Sequence, residues 1–178
     1  MKVKKTYTFL FLLGAIAFTG CKKDDGAMRE SIKTTDVPTI TTNVDPTGST
    51  AITVSNQAAF AGKFTVSLYF PGATPPTKVD IVVRKNSLNT CTSTLATNAN
   101  VKLFKANITS LPATFTVTAA EIASLFGSPI ALKDVYDFAP DIYVGDTKFE
   151  AFPTTGIGTG SWRTAAHGFS EFARFCTQ

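Results

Sequence analysis

Histidine, cysteine and tryptophan are scarce in this chain of 178 residues, which has one His, three Cys and one Trp. A Ser-His-Asp triad would have to use His167, and no serine stands in a Gly-x-Ser-x-Gly turn. Two cysteines far apart in the sequence, with a single histidine, make a poor zinc site. The composition therefore predicts no metal, no cofactor and no enzyme of these common kinds.

A strong excess of charge is also absent once the first 20 residues are set aside. Of the 17 basic and 13 acidic residues, three lysines and no acids precede Cys21, which leaves 14 against 13. A domain so nearly neutral gives no reason to expect nucleic acid or an anionic surface as its partner. We therefore predict no nucleic-acid binding.

The N-terminal apolar run, Phe9–Phe18, is about half the roughly 20 residues that a membrane-spanning helix needs. It follows a start that contains Lys2, Lys4 and Lys5, and it ends in small residues. A charged start, a short apolar centre and a small-residue exit indicate a secretory signal, which we place at residues 1–20.

The exit of this signal, Thr19-Gly20-Cys21, resembles the lipobox of bacterial lipoproteins, although Phe18 stands where an aliphatic residue is usual. The resemblance implies that Cys21 is acylated and becomes the membrane anchor, and acyl chains in pairs hold a protein stably on a bilayer. The next residues resemble the export signal of Bacteroidota surface lipoproteins: Lys22, Lys23, Asp24 and Asp25. The implied location is the outer membrane, facing the cell exterior.

Residues 21–48 are rich in Lys, Asp, Thr, Pro and Gly and lack periodicity, which predicts a flexible tether with at most a short edge strand at Val37–Ile40. Residues 49–178 suffice for one domain. Apolar and polar residues alternate there as in half-buried strands. The predicted strands are Ala51–Asn56, Lys63–Phe70, Lys78–Lys85, Val101–Ile108, Thr114–Val117, Val135–Val144 and Lys148–Phe152. For Gly168–Cys176, where phenylalanines recur every three residues, helix and strand are both open, and we favour a strand.

One segment breaks the alternation. Thr118-Ala119-Ala120-Glu121 matches a capping box, and Gly127 is placed to end the helix that this box would begin. The sequence thus predicts a short helix among about seven strands with polar turns, which is typical of a two-sheet β-sandwich. The pattern resembles immunoglobulin-like or fibronectin-like domains of Bacteroidota lipoproteins, some of which accompany glycan uptake systems. The helix leaves an α+β arrangement open.

Cys91 and Cys176 remain as thiols if Cys21 is acylated, and an oxidising compartment permits them to pair. The bridge would close a loop of about 85 residues and stabilise the fold by about 4.5 kcal/mol on the chain-entropy model. Sequence alone leaves two separate thiols as the alternative.

Two groups of residues are candidates for function. Aromatic rings that would bind a sugar or a protein if they were exposed together are Trp162, Tyr136 and Tyr143, with Tyr69 as a further member. Carboxylates that could act in hydrolysis are Asp134, Asp137, Asp141 and Asp146, although the interpretation that we favour is outward-facing strand positions and a turn. In Lys63–Phe70, alternation predicts Phe64, Val66, Leu68 and Phe70 to face inward.

These observations together predict a non-enzymatic, membrane-anchored lipoprotein that acts as a binding or accessory module. Its partner would be a glycan or an outer-membrane complex. One alternative is an extracytoplasmic hydrolase that uses the carboxylates, and another is a structural adhesin or stalk module.

Overall fold

A computed structural model describes residues 38–70, 72, 74–92, 98–153 and 172–178. Within these residues the strands are β1 (Ile40–Val44), β2 (Ala51–Ile52), β3 (Ala61–Leu68), β4 (Lys78–Ser87), β5 (Val101–Ile108), β6 (Ala113–Thr118), β7 (Asp134–Val144), β8 (Thr147–Phe149) and β9 (Ala173–Thr177). The helical elements are a 3-10 segment, Val54–Ala59, and the α-helix α1, Ala119–Phe126.

The strands form two sheets. The smaller sheet has the order β1-β3-β6, and the larger has the order β2-β9-β7-β4-β5 with β8 paired to β7. The β2 strand runs parallel to β9, and the other neighbours are antiparallel. With β1, β3 and β6 taken as strands A, B and E, and β4, β5, β7 and β9 as C, C′, F and G, this is the immunoglobulin order. The predicted all-β sandwich with one short α-helix is confirmed.

Apolar side chains from both sheets make the core. The ring of Phe64 in β3 lies 5.3 Å from that of Phe115, 5.1 Å from that of Phe138 and 6.5 Å from that of Phe175. Fully burying a side chain of this size stabilises a fold by about 1.5 to 3 kcal/mol. Val66 is buried as its alternation predicted, and Val79, Ile81 and Val83, which alternate along β4, are also buried in this core.

The predicted capping box is present at the start of α1. The Thr118 side chain accepts a hydrogen bond from the Glu121 N–H, and the Glu121 carboxylate accepts from the Thr118 N–H. The helix ends at Gly127, whose φ of 62° lies in the left-handed region that glycine adopts without a steric cost. Helix start and end are therefore local features of the sequence.

The domain begins earlier than predicted. Strand β1 lies inside the span 21–48 that we assigned to the tether, and it pairs with β3 from Ile40↔Leu68 to Val44↔Phe64. Its Thr-rich sequence has too few apolar residues to reveal a strand, and pairing with β3 supplies the missing stabilisation. The boundary at residue 49 was wrong for this reason.

Two smaller predictions also fail. The strand predicted at Ala51–Asn56 is only two residues long, because the chain turns into the 3-10 segment at Val54. Phe70 does not face inward: β3 ends at Leu68, and the Phe70 side chain is 47% exposed. Alternation defines a face only while a residue still belongs to the sheet.

Strand β4 is buried on both of its faces, which alternation alone did not predict. Its residues Val79, Ile81 and Val83 face the core, whereas Asp80, Val82 and Arg84 are buried on the other side. A separate apolar cluster covers this outer side, formed by Val82, Ala139, Ala151 and Phe152. Charged side chains are thus buried on the outer face of the larger sheet, and this face holds the candidate site.

Candidate functional site

A cleft of about 420 Å³ opens on the outer face of the larger sheet. Strands β4, β5, β7 and β8, with the residues just after β8, supply its walls. The lining residues that define its chemistry are Asp80, Leu103, Asp141, Tyr143, Lys148 and Phe152. Its volume falls in the range of sites that hold small ligands, and its lining is more polar than is usual for such sites.

Asp80 and Asp141 face each other across the cleft floor. They are direct register partners on β4 and β7, so that their Cβ atoms lie about 4.5 to 5.5 Å apart. The Asn107 N–H donates to Asp80 Oδ1 at 2.7 Å, and the Ala151 N–H donates to Asp141 Oδ1 at 2.8 Å. Backbone donors therefore fix the orientation of both carboxylates.

Two lysines offset the repulsion between these carboxylates. Lys148 Nζ lies 2.8 Å from Asp141 Oδ2 and 3.5 Å from Glu150 Oε1, while Lys78 Nζ lies 3.7 Å from Asp80 Oδ2. Like charges directly opposite each other destabilise a sheet, and nearby cations relieve this. The floor thus combines hydrogen-bond acceptors and donors at fixed positions.

The buried floor perturbs the titration of its groups. Burial raises the pKa of the Asp141 carboxyl above its ordinary value, although Lys148 and the Ala151 N–H act in the opposite direction. Burial alone would lower the pKa of Lys148, but the hydrogen bond and charge of Asp141 outweigh it, and the pKa is raised. Burial and a hydrogen bond with Asp80 raise the pKa of Tyr143. At neutral pH the lysine is an ammonium and the tyrosine keeps its proton.

Apolar groups border the polar floor. Leu103 on the edge strand β5 lines the cleft and is 52% exposed. Tyr143 on β7 also lines the cleft, and its ring lies under Lys78 Nζ, which is 4.3 Å from the ring centroid. Phe152 is a further lining residue, and the Arg84 guanidinium stacks on its ring at 4.3 Å. The cleft therefore presents both ring and aliphatic surface to a ligand.

A buried ion network lies next to the cleft. The Arg84 Nη2 and Nε donate to Asp137 Oδ2 at 2.8 and 3.0 Å, and Arg174 Nε donates to Asp137 Oδ1 at 2.7 Å. Arg84 Nη1 also donates to Asn98 Oδ1 at 2.6 Å, and Asn98 Nδ2 donates to the Pro153 carbonyl at 2.6 Å. The network joins the loop after β4 to the segment after β8, and so supports the Phe152 wall.

A second ion pair lies at the far end of the same strands. Lys85 Nζ is 2.8 Å from Asp134 Oδ2, which also accepts from the Tyr136 hydroxyl at 3.0 Å. Burial and the Asp134 carboxylate raise the pKa of that hydroxyl. The Tyr136 side chain is 1% exposed and packs against Phe126 of α1. This cluster supports the core and does not open into the cleft.

The sequence candidates have different outcomes. Tyr143 lines the cleft, whereas Tyr136 was wrongly predicted as a binding ring, because its face of β7 packs into the core. Tyr69 is exposed, but it follows the last residue of β3 and does not line the cleft. Trp162 and His167 lie outside the described residues, as do Cys21 and the residues of the export signal, Lys22, Lys23, Asp24 and Asp25.

The predicted carboxylates do not form one group. Asp137 and Asp141 point away from the sandwich core, as the strand interpretation predicted, but they are buried there in ion pairs with Arg84 and Lys148. Asp134 lies on the same face of β7 as Tyr136 and is paired with Lys85. Asp146 is exposed in the turn between β7 and β8. Local patterns did not predict that the outer face at Asp137 and Asp141 is covered.

Sequence reasoning missed Asp80, Arg84, Lys148 and Arg174. A signal was present for the first two: they occupy the polar positions of an otherwise apolar strand, Val79–Arg84, where an uncharged Val82 stands between them. A strand with a mixture of apolar and charged residues on its second face indicates that this face is covered.

The structure pairs Cys91 with Cys176, whose Cα atoms lie 5.8 Å apart. This confirms the disulfide that the sequence left open. The bridge joins the loop after β4 to β9, in contrast to the intersheet B–F bridge of antibody domains. Arg174 Nη1 donates to the Cys91 carbonyl at 2.7 Å, so that the ion network and the disulfide hold the same loop.

Among the residues that the structure describes, no three His, Cys, Asp or Glu side chains are grouped so as to hold a metal ion. The described part of the chain also contains no helix with the length and apolar character needed to cross a membrane.

Comparison of the chain with protein-family models, with curated proteins and with solved structures finds no match. The function must therefore be argued from the cleft and from the sequence.

Proposed function

We propose that this protein is a lipid-anchored outer-membrane lipoprotein whose β-sandwich is a binding module, with a saccharide as the ligand of the cleft. The proposal for the anchor rests on Thr19-Gly20-Cys21 and the charged residues that follow it. The proposal for the ligand rests on one observation, the fixed carboxylate pair of Asp80 and Asp141 beside Lys148 and exposed apolar surface.

The charges of the cleft favour a neutral ligand with many hydroxyl groups. Its lining holds three acids and two lysines: Asp80, Asp141, Glu150, Lys102 and Lys148. An anionic ligand would be repelled by the three carboxylates. A wholly apolar ligand would remove water from the carboxylates without offering them a hydrogen bond, which costs free energy. A hydroxyl group can both donate to a carboxylate and accept from an ammonium. Sugar rings present such groups at their edges.

The apolar border fits the other surface of a sugar. The C–H faces of pyranose rings are apolar, and they pack against aromatic and aliphatic side chains. Tyr143 and Leu103 both line the cleft but lie on strands two positions apart in the sheet, so they would contact different rings of an oligosaccharide whose hydroxyls reach the polar floor. Both residues lie in strands whose backbones are already ordered, so binding costs little further backbone entropy of the protein.

The test is a binding screen of the soluble domain, residues 38–178, against neutral oligosaccharides, followed by calorimetry on any ligand found. Tyr143→Ala and Leu103→Ala should each weaken binding, and the loss at Tyr143 should be about 1 to 3 kcal/mol by analogy with other aromatic stacking sites. Leu132→Ala is the matched control, because Leu132 is a similarly exposed leucine, 62% against 52%, outside the cleft lining.

Equal effects of Leu103→Ala and Leu132→Ala would contradict the cleft as the site. If no saccharide binds, affinity purification of the acylated protein from its own membranes tests the accessory alternative. Stoichiometric recovery of an outer-membrane transporter or receptor would then identify a protein partner. Metabolic labelling with a fatty acid, compared with Cys21→Ser, tests the anchor separately.

Hydrolysis is a second candidate, and one observation favours it. Asp141 combines a raised pKa with a carboxylate neighbour, Asp80, within a cleft, which is the arrangement of acid–base pairs in glycoside hydrolysis. Against it, each carboxylate already accepts a backbone N–H and has a lysine within 4 Å. Release of reducing ends that is lost in Asp141→Asn, with the fold intact, would establish an enzyme.

A further inference from the structure

A lysine, an asparagine and an aspartate meet where strand β5 pairs with β4. Lys78 Nζ donates to Asn107 Oδ1 at 2.9 Å and lies 3.7 Å from Asp80 Oδ2. The Asn107 N–H donates to Asp80 Oδ1 at 2.7 Å. A lysine amine becomes a nucleophile when an adjacent base takes its proton, and a carboxamide carbon is an electrophile. The three residues therefore carry the groups needed to form an amide bond between two side chains.

The backbone of both strands brings these side chains together. Lys78 and Asp80 are two residues apart on β4, so they share one face of the strand. The pairing register shifts between Val79 and Ile81, so that Asp80 stands opposite two residues of β5. Asn107 is one of the two, and its φ of 57° lies in the left-handed region. A bulge re-aims side chains, and left-handed residues other than glycine are frequent at functional sites.

The surroundings hold the amine near the carboxamide. The ring of Tyr143, the register partner of Lys78, lies 4.3 Å from Lys78 Nζ, and Asp80 is only 9% exposed. Asn107 itself is exposed, so a small leaving group can pass directly into solvent. The two residues thus stay in contact for the lifetime of the folded protein, while the product of a reaction is free to leave.

The distance between the reacting atoms is short. Asn107 Cγ is one carbonyl bond away from Oδ1, so Lys78 Nζ lies within about 4.1 Å of the carbon that it would attack. Reacting atoms in productive complexes lie about 3 to 3.5 Å apart, which a small rotation of the lysine side chain reaches. Well-oriented groups in one molecule react as if their concentration were about 10⁵ M or more. Proximity therefore offsets the low reactivity of a carboxamide.

We propose that Lys78 and Asn107 form an amide bond between their side chains, with Asp80 as the group that moves the protons. Asp80 takes a proton from the Lys78 ammonium, and the free amine nitrogen bonds to Asn107 Cγ. The attacking nitrogen passes one proton to Nδ2, the Cγ–Nδ2 bond breaks, and Nδ2 leaves as ammonia. Asp80 returns its proton to the ammonia, which departs as ammonium. The reaction needs no oxidant, reductant or co-substrate.

The bond fastens the edge strand of the larger sheet. Strand β5 is the last in the order of that sheet, and its register with β4 shifts twice. It also carries Leu103, which lines the cleft. The cross-link joins this strand to β4 by a covalent bond and replaces the ammonium beside Asp80 with a neutral amide.

Mass spectrometry tests the bond directly. The full chain is purified, kept at neutral pH and measured intact, and it is then digested and sequenced by tandem mass spectrometry. We expect the wild type to have lost one ammonia and to yield a branched peptide that joins Lys78 to Asn107. Lys78→Arg keeps the positive charge without the primary amine, and it should retain its full mass. Asp80→Asn keeps both partners without the base, and it should also retain its full mass, with its fold checked by circular dichroism.

A second lysine–asparagine contact in the same molecule serves as the internal control. Lys133 Nζ donates to Asn89 Oδ1 at 3.4 Å, and Lys133 has no ion pair with any residue that the structure describes. We expect no branched peptide at this pair. A branched peptide at both pairs, or one in Asp80→Asn, overturns the role of Asp80.

Two results overturn the bond itself. The first is a wild-type chain that retains its full mass and yields Lys78 and Asn107 in separate peptides. The second is an equal loss of ammonia in the wild type and in Lys78→Arg, because an asparagine that closes on its own backbone to a cyclic imide also releases ammonia.

Discussion

The two faces of the larger sheet are both buried, but by different chemistry. The inner face is covered by rings and aliphatic side chains such as Phe138, whose ring lies 5.1 Å from that of Phe64. The outer face one residue away buries Asp137, which is fully inaccessible, between two arginines. Apolar burial is non-directional, so it stabilises the fold in many arrangements of side chains. Buried ions stabilise it only when the opposite charges are close and their remaining hydrogen-bonding groups have partners.

The difference indicates what each face does. Burying two ions costs desolvation free energy, and well-packed apolar residues of similar volume often stabilise a fold as much or more. Stability alone therefore does not explain a buried ion pair, and its role is better sought in the neighbouring segments that it holds in position. Here Arg84 holds Asn98 and the Phe152 ring, and Arg174 holds the Cys91 carbonyl, so the outer face orders the segments that border the cleft.

Removal of the central carboxylate should have the largest effect on stability. Asp137→Ala leaves the two guanidinium groups of Arg84 and Arg174 without their shared partner, and breaking a buried pair in this way costs about 3 to 5 kcal/mol. Urea unfolding measures this loss. Asp146→Ala is the control, because that residue is exposed in a turn and should change stability by less than about 0.5 kcal/mol. Similar losses for both variants would contradict a structural role of the network.

Loss of the disulfide should follow in size. The double change Cys91→Ser and Cys176→Ser opens a loop of 85 residues and should destabilise the domain by about 2 to 5 kcal/mol. Urea unfolding of the double variant, beside the wild type with and without reductant, measures the effect. If reduction leaves the midpoint of the wild type unchanged, the bridge does not stabilise this domain.

Replacement of the whole network by apolar residues should have a much smaller effect than Asp137→Ala. Arg84→Met, Asp137→Leu and Arg174→Met together remove all three charges, and such swaps are neutral or stabilising by about 1 to 4 kcal/mol. The same variant should weaken ligand binding, since the Phe152 wall loses its support. A triple variant as unstable as Asp137→Ala would show that the ions are needed for stability itself.

The smallest expected effects are on the pH dependence of stability, and they have opposite signs for two carboxylates. Burial raises the pKa of Asp141 in the folded state above the value of 3.8 in the unfolded chain. The cost of burying its charge is therefore relieved as the pH falls from the folded-state pKa towards 3.8. Relative to Asp141→Asn, the wild type should therefore gain stability on acidification in this window. Asp45 is the contrasting case, because hydrogen bonds with Lys63 and Thr47 lower its pKa to about 2.

For Asp45, the stabilisation is present above pH 3.8 and is lost as the pH falls towards 2. Relative to Asp45→Asn, the wild type should lose stability on acidification. Urea unfolding at a series of pH values measures the stability difference between the wild type and each of the two Asn variants. If that difference changes with pH in the same direction for both variants, burial does not govern Asp141.

Much of the fold was accessible from local patterns. Period-two alternation identified β3, β4, β5 and β7, and the capping box at Thr118 with Gly127 identified α1, because both depend on neighbours in the sequence. The edge strand allowed at Val37–Ile40 overlaps strand β1 only at Ile40, because pairing with β3, some 25 residues away, stabilises the rest of β1. The cleft itself was not predicted: only Tyr143 and Asp141 of its lining were sequence candidates, because the other lining residues come from strands that become neighbours through the sheet order.

The sequence by itself determined the alternating strands β3, β4, β5 and β7, the start and end of α1, and the buried face formed by Phe64 and Val66 in β3. These depend on the spacing of side chains along a single segment. Tertiary structure alone decided that Tyr136 is buried, that Asp137 lies between two arginines, and that Asp80 faces Asp141. Those facts depend on which strands become neighbours and on what covers the second face of the sheet, and neither is encoded in the period of any one strand.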